Sequence, residues 1–369
     1  MATINTTANQ GDGKRARRKA AGKATLADVA ARAGVSMATV SRVINEPKRV
    51  SGELRARVDL AIDELSYVLH GAARALASSR TRTIGAVVPT LDIAIFAQGV
   101  SALQKHLNSA GYTLFIANSE YDPKRELMEI RALVERGVDA LVLVGQTRPA
   151  EAYTLLESNG VPFVTTYFYD PAVVRPCVGI DNRAASYRMC RYLIELGHRA
   201  FGVVTSPTVN NDRIAARHRG ILDCLAEHGL SPPPESDLEM AYSLADGRAA
   251  LRSLLTVAPE ITAIVCTTDV HAIGALLEAR SLGLEVPRQL SISGFDGLDL
   301  AAEMEPPLTT VDVPANEMGE RVGDYLVNRL DGQAVPLITT LSASLVVRGS
   351  TGRPRSGRLP AVHRRGGPA

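Results

Sequence analysis

Four cysteines are all that the 369-residue chain carries, Cys177, Cys190, Cys224 and Cys266. None stands in a Cys-x-x-Cys pair, so neither a zinc site nor a disulfide framework is written here. Isolated thiols of this kind fit a reducing compartment. Catalytic signatures are also lacking. There is no Gly-Lys-[Ser/Thr] phosphate loop, no His-Glu-x-x-His and no Gly-x-Ser-x-Gly elbow. Gly11-x-Gly13-x-x-Ala16 copies a dinucleotide loop on paper only, because no strand precedes it. No apolar run is long enough to span a bilayer. The basic cluster Lys14, Arg15, Arg17, Arg18 and Lys19 is followed by no apolar segment, which excludes a secretory signal. A membrane protein, a metal or cofactor enzyme and a disulfide-stapled secreted domain are thereby set aside, with no cofactor and no metal expected.

Charge is present and unevenly spread. The net is only +2, yet residues 1–82 carry 15 Lys/Arg against 7 Asp/Glu. Residues 83–347 carry 20 against 32, and residues 348–369 carry 6 against none. Basic ends around an acidic middle place a nucleic-acid partner at the N-terminal part. The length exceeds one ordinary domain and suits a headpiece joined to a two-lobed core.

The stretch from Thr25 to Asn45 reads as two short helices around a turn at Gly34. Thr25 and Ser36 are N-cap candidates. Leu26, Val29 and Ala30 share one face, as do Val40, Val43 and Ile44. Met37, Ala38, Ser41, Arg42 and Asn45 are left for the outside of the second helix, and Thr39 is counted with them among the candidate DNA contacts. This is the layout of a helix-turn-helix whose second helix enters the major groove. An arginine at position 42 can take a guanine edge bidentately, and Met37 and Ala38 can meet a thymine methyl. A plain helical hairpin with a solvated face has the same spacing. Residues 70–78, His70 to Ser78, are short, small and helix-compatible, and an isolated helix of this length is marginal in water. The segment is thus either a linker or a helix that folds on contact with DNA.

The run Leu26-x-Asp-Val-Ala-x-x-Ala-Gly-Val-Ser-x-x-Thr-Val-Ser-Arg-Val-Ile-Asn45 resembles the N-terminal signature of the LacI family of bacterial transcription regulators. The likeness continues through Val50-Ser51 and Glu64-Leu65-x-Tyr67. It implies that Thr25 and Leu26 join the DNA-contacting set. It also implies that Leu76 is an apolar wedge for the minor groove, flanked by Ala73 and Arg74. The Met37-Ala38 pair is similar to that of catabolite control proteins in the family, which implies a pseudo-palindromic operator with a central CpG. One departure is Leu69-His70, where the family usually has Pro-Asn.

After residue 82 the pattern alternates. Apolar, β-branched runs at Ile84–Val88, Thr113–Ala117, Ala140–Val144, Phe163–Thr166, Phe201–Thr205, Ala263–Cys266 and Leu290–Gly294 predict strands. Helix-period segments such as Phe96–Ser109, Pro123–Arg136, Arg183–Leu196, Arg213–Glu227 and Val270–Leu282 lie between them. Such alternation implies parallel sheets with right-handed crossovers. Ligands gather at the carboxyl ends of such strands, where Phe96, Gln146, Tyr167, Arg213, Arg217, Tyr242, Asp269 and Asp296 fall. Asp269 has a second reading as the cap of the following helix. The family resemblance implies two similar lobes of periplasmic-binding-protein type. It adds that Arg217 to Gly220 matches the family's effector-binding Arg-x-x-Gly. Gly294-Phe295-Asp296 matches a sugar-hydroxyl acceptor and Tyr242 a stacking aromatic. The departures are Thr268-Asp269 for the family's Asn-Asp, Val313 for a Gln, and Phe168 directly after Tyr167, where the family often has an Asp close by. With Arg213 and Arg217 on one helix, they point to an anionic effector, a sugar acid or sugar phosphate, rather than a neutral pyranose. Pro89-Thr-Leu-Asp with Phe96 is similar to gluconate-type repressors.

The expectation is an α/β protein with an all-α headpiece. It comprises a disordered basic tail over 1–23, the headpiece over 24–69, a hinge over 70–79 and a core over 83–348. Lobe 1 takes 83–180 and 311–348, lobe 2 takes 181–310, and a second disordered tail runs over 349–369. The resemblance implies a cytoplasmic, nucleoid-associated repressor of carbohydrate or sugar-acid genes. Its partners are double-stranded operator DNA, a sugar, sugar acid or sugar phosphate effector, and a second copy of the chain in a homodimer. The alternative is a cytosolic solute receptor with no role on DNA.

Overall fold

The computed structural model describes residues 24–46, 49–68, 80–172 and 174–355. The chain divides into two units, the first ending at Ser79 and the second beginning at Arg80.

In the first unit, helices α1 (Leu26–Ala33), α2 (Met37–Asn45) and α3 (Gly52–Glu64) enclose a small core of Val29, Ala30, Ala33, Val40, Val43, Val58 and Ala61. Thr25 and Asp28 form a reciprocal capping box at the start of α1. Gly34 ends it at φ +63°, a left-handed turn that other residues enter at a cost. Arg57 Nη2 on α3 donates to the Ala33 carbonyl, satisfying an end group of α1.

The second unit holds two six-stranded sheets. The first contains β1 (Thr83–Val88), β2 (Thr113–Asn118), β3 (Ala140–Val144), β4 (Phe163–Thr166), β5 (Cys177–Gly179) and β11 (Ile338–Thr340). The second contains β6 (Phe201–Thr205), β7 (Asp237–Glu239), β8 (Ala263–Cys266), β9 (Ser291–Asp296), β10 (Thr309–Asp312) and β12 (Ser344–Val346). The inner strands β3, β6 and β8 are buried along their whole length, as their unbroken apolar runs require. Reading across, the sheets run β2-β1-β3-β4-β5 and β7-β6-β8-β9-β10. This is one doubly wound pattern used twice, and each copy has a switch point beside its first strand. Every pairing is parallel except β10 with β12.

Helices α4 (Ala94–Ser109), α5 (Pro123–Glu135) and α6 (Ala150–Ser158) cover the first sheet, joined by α12 (Ala315–Leu330), which packs on α4. Helices α7 (Asn182–Glu195), α8 (Asp212–Glu227), α9 (Leu244–Val257), α10 (Asp269–Ser281) and the short α11 (Asp299–Ala302) belong to the second lobe. The chain crosses between lobes three times, at residues 180–181, 313–314 and 341–343.

Two expectations are corrected. Residues 311–348 do not stay with lobe 1, because β10 reaches Asp312 in the second sheet and β12 returns to it. The expected C-terminal tail is ordered over its first residues. Ser350 is fully buried; its hydroxyl donates to the Ile292 carbonyl and accepts from Thr309 N. Arg355 donates to the carbonyls of Ile261 and Gln289. An Arg- and Gly-rich composition reads as solvated, but here the Ser350 hydroxyl and the Arg355 Nη1 meet backbone groups of the second lobe.

Candidate functional site

The headpiece presents its outer face through α2. Ser36 caps this helix, accepting from Thr39 N at 3.1 Å. Thr39 Oγ1 lies 2.9 Å from the Ser36 hydroxyl, so it serves the cap. Met37 is 54% exposed, and Ala38 and Arg42 are exposed beside it. Ser41 is half-buried and Asn45 ends the helix. Leu26 is half-buried against the headpiece core at the start of α1. Ala73, Arg74 and Leu76 lie outside the described residues.

The carboxyl ends of both sheets frame a cavity of about 290 Å³. The first lobe contributes Ile93, Ile95, Phe96, Tyr121 and Tyr167. The second contributes Ser206, Asn211, Arg213, Ile214, Arg217, Tyr242, Thr268 and Asp296, among others. At its floor Arg217 Nη1 donates to Asp296 Oδ1 at 2.7 Å and to the Thr267 carbonyl at 2.9 Å. Arg217 Nε donates to Asn182 Oδ1 at 2.9 Å, and the guanidinium lies 3.8 Å from the Phe295 ring centroid. Four contacts thus hold one buried side chain in a single pose. Asn182 also donates to the Tyr167 carbonyl, so it links the floor to the first lobe.

Gly220 permits this arrangement. A Cβ there would collide with the Arg183 carbonyl, so only glycine lets α8 approach α7 closely enough for Arg217 to reach Asn182. Asp296 has φ +135°, a strained conformation for a residue with a side chain, of the kind that clusters at ligand sites. Burial raises its carboxyl above the ordinary range, and Arg217 opposes that shift. Tyr167 donates to the Ile95 carbonyl and meets Phe96 edge-on at 5.1 Å. Burial raises the Tyr167 and Tyr242 hydroxyls, so both stay protonated as donors.

Six of the eight expected effector residues line this cavity: Phe96, Tyr167, Arg213, Arg217, Tyr242 and Asp296. Two are corrected. Gln146 is buried, its side chain outside the cavity lining, and its amide group faces the Cys177 thiol with no nitrogen or oxygen partner among the described residues. Asp269 is fully buried behind the floor. It accepts from Leu298 N at 2.8 Å and from the Thr310 hydroxyl, so it braces the loop after Asp296. Nor does it cap α10, since that role falls to Thr268, whose hydroxyl accepts from His271 N. Burial, and then the neighbouring Asp296, push Asp269 up to about 7.

Sequence reasoning missed Tyr121, Ser206, Asn211 and Asn182. Ser206 had one signal, its place directly after β6. Its buried hydroxyl meets no partner among the described residues and borders the cavity.

Residues 25–69 match the family described as bacterial regulatory proteins, lacI family, and residues 190–351 match a periplasmic binding protein-like domain. The chain is 32% identical over 329 residues to the HTH-type transcriptional repressor CytR of Escherichia coli K12, covering 89% of this chain and 96% of that one. The chain belongs to the LacI family. It is a DNA-binding transcription regulator with an effector-binding core. Its fold is shared with a LacI-family regulator from Silicibacter pomeroyi, at TM-score 0.82 and 26% identity over 89% of this chain and all of that one. It is shared too with a Lac repressor dimer bound to operator, at TM-score 0.80 and 25% identity over 90% of this chain and all of the other. No helix among the described residues of this LacI-family chain is long and apolar enough to cross a membrane.

Proposed function

We propose that this LacI-family regulator is a homodimeric repressor acting on a pseudo-palindromic operator in the bacterial cytoplasm, without catalysis, and released or retained by a small ligand in the cleft. Met37, Ala38 and Arg42 read base edges from α2. Thr25, Leu26, Thr39, Ser41 and Asn45 complete the proposed major-groove and phosphate contacts, and Leu76 with Ala73 and Arg74 engages the minor groove.

The observation that carries the effector reading is the Arg217–Asp296 pair at the floor of an otherwise largely apolar cavity. A donor and an acceptor held side by side suit neighbouring hydroxyls on a ring, and the aromatic walls suit the ring's apolar face. Arg213 pairs with Asp212 at 2.8 Å, and Arg217 pairs with Asp296. Each cation is therefore offset by a carboxylate, which weakens the case for a doubly charged phosphate. Among sugar, sugar acid and sugar phosphate, this favours a hydroxylated ring carrying an apolar or flat substituent.

The test is a titration against a palindromic duplex with a central CpG, beside a scrambled duplex, at physiological salt. Binding about a thousandfold tighter to the operator supports the regulator. A panel of neutral glycosides, sugar acids and sugar phosphates is then scored for a change in operator affinity. A response to phosphates alone would overturn the effector reading.

A further inference from the structure

A second cluster of buried polar groups lies beside the cleft and joins the two lobes. Asp212, at the start of α8, is nearly buried and points its carboxylate across to the loop after β3. Oδ2 accepts from Gln146 N at 2.5 Å and from Thr147 N at 2.9 Å. Oδ1 accepts from Arg213 Nη1. Two successive amides aimed at one carboxylate form an anion-binding nest. Gly145 makes it possible: its φ is +75°, and a Cβ there would collide with Arg213 Nη1 and lie 2.6 Å from Asp212 Oδ1. The loop is braced from behind by Arg148. That side chain is fully buried, donates to the Val144 and Gly145 carbonyls, and faces Glu126 at 3.4 Å.

The same arrangement carries a cost. Gln146, whose backbone amide holds the clasp, has a buried side-chain amide with no nitrogen or oxygen partner among the described residues, only the weakly bonding Cys177 thiol facing it. An orphaned polar group in one position of a loop favours any other position in which water or protein can reach it. The loop is thus held in place by Asp212 and pushed out by Gln146.

We infer that Asp212 is a positioning residue, a clasp that sets the balance between the closed and open arrangements of the two lobes. Arg213 lines the effector cavity and shares the Asp212 carboxylate with the loop, so a ligand that draws Arg213 changes the hold on the loop. The clasp is therefore the point at which occupancy of the cavity reaches the inter-lobe angle. It rests on the two-lobed core, not on which ligand binds there.

The test uses the full chain with neither DNA nor ligand. Amide hydrogen exchange is followed for the segment 145–148, and the lobe separation is read between spin labels at M128C and E235C. Asp212→Asn, close to isosteric, and Asp212→Ser are compared with Asp212→Glu, which restores the charge. The expected result for Asn and Ser is at least tenfold faster exchange at 145–148. Exchange in β3 and β6 stays unchanged, and the label distance distribution becomes longer or broader. Glu should restore most of the protection. Wild-type exchange and distances in both Asn and Ser variants would overturn the clasp. So would acceleration spread evenly over both lobes, since that reports global destabilisation.

Discussion

Arg217 shows how much of a binding residue's role is set by what holds it. Removing it strips the cavity of its central donor and leaves Asp296 buried without its partner. Arg217→Ala is expected to abolish the effect of ligand on operator release while operator binding persists. It should also lower core stability by about 3 kcal/mol at neutral pH. Burial already favours the protonated form of Asp296, so the stability loss shrinks at pH 5 as the orphaned carboxylate takes a proton. Denaturant unfolding at the two pH values measures this, and an equal loss at both would count against it. Asp269 gives a second prediction. Its folded value of about 7 lies above the ordinary carboxylate range. Between about pH 4 and 7 the folded state holds a proton that the unfolded chain has released, so stability falls as pH rises through this window. Asp269→Asn keeps the neutral form, with its carbonyl toward Leu298 N. Its advantage over the wild type should grow between pH 5 and 8 to on the order of 3 kcal/mol. Thermal midpoints that run parallel across that range would refute this.

The elements explain what could be read in the chain. Strand ends were legible because an apolar run bounded by polar residues announces both the strand and where it stops. That placed Phe96, Tyr167, Arg213, Arg217 and Asp296 around one cleft. Position at a strand end does not fix the direction of a side chain. Gln146 and Asp269 therefore stand at strand ends yet serve neighbouring loops. The strands β5, β7, β11 and β12 have three residues each, too few for periodicity to register. Their existence depends on partners far away in the chain. Asp212 was hidden for the same reason, since its amide partners lie 65 and 66 positions earlier. Gly220 was read as part of an arginine motif, but its packing role appears only once α7 and α8 are side by side. Gly220→Ala is expected to cost about 1–3 kcal/mol of core stability by overpacking this interface. Because it shifts α8, it should also weaken ligand binding. A variant that unfolds at the wild-type denaturant concentration would refute the close approach.

At the scale of the whole molecule, the C-terminal strand and the residues after it close the second lobe. His198 Nε2 meets the Gly352 carbonyl at 2.8 Å, and Gly352 N donates to the Ser291 hydroxyl. A chain ended after Arg348 leaves Thr309 N and His198 without these partners. It should lose about 1–3 kcal/mol for each buried group so orphaned. A chain ended after Arg355 retains every one of these bonds and should match the full chain in denaturant unfolding. Equal stability of the two truncations would show that this segment seals nothing.

The three passages of the chain between lobes also bear on how the protein is made. Helix α4 is synthesised early, yet its packing partner α12 begins at Ala315, and the first sheet lacks β11 until Ile338 has been added. At 5–20 residues per second, roughly 10–40 s of translation separate these partners. During that interval the lobe made first stands unfinished on the ribosome while the lobe made second is being built. The order in which the lobes acquire their sequence is therefore not the order in which they can be completed.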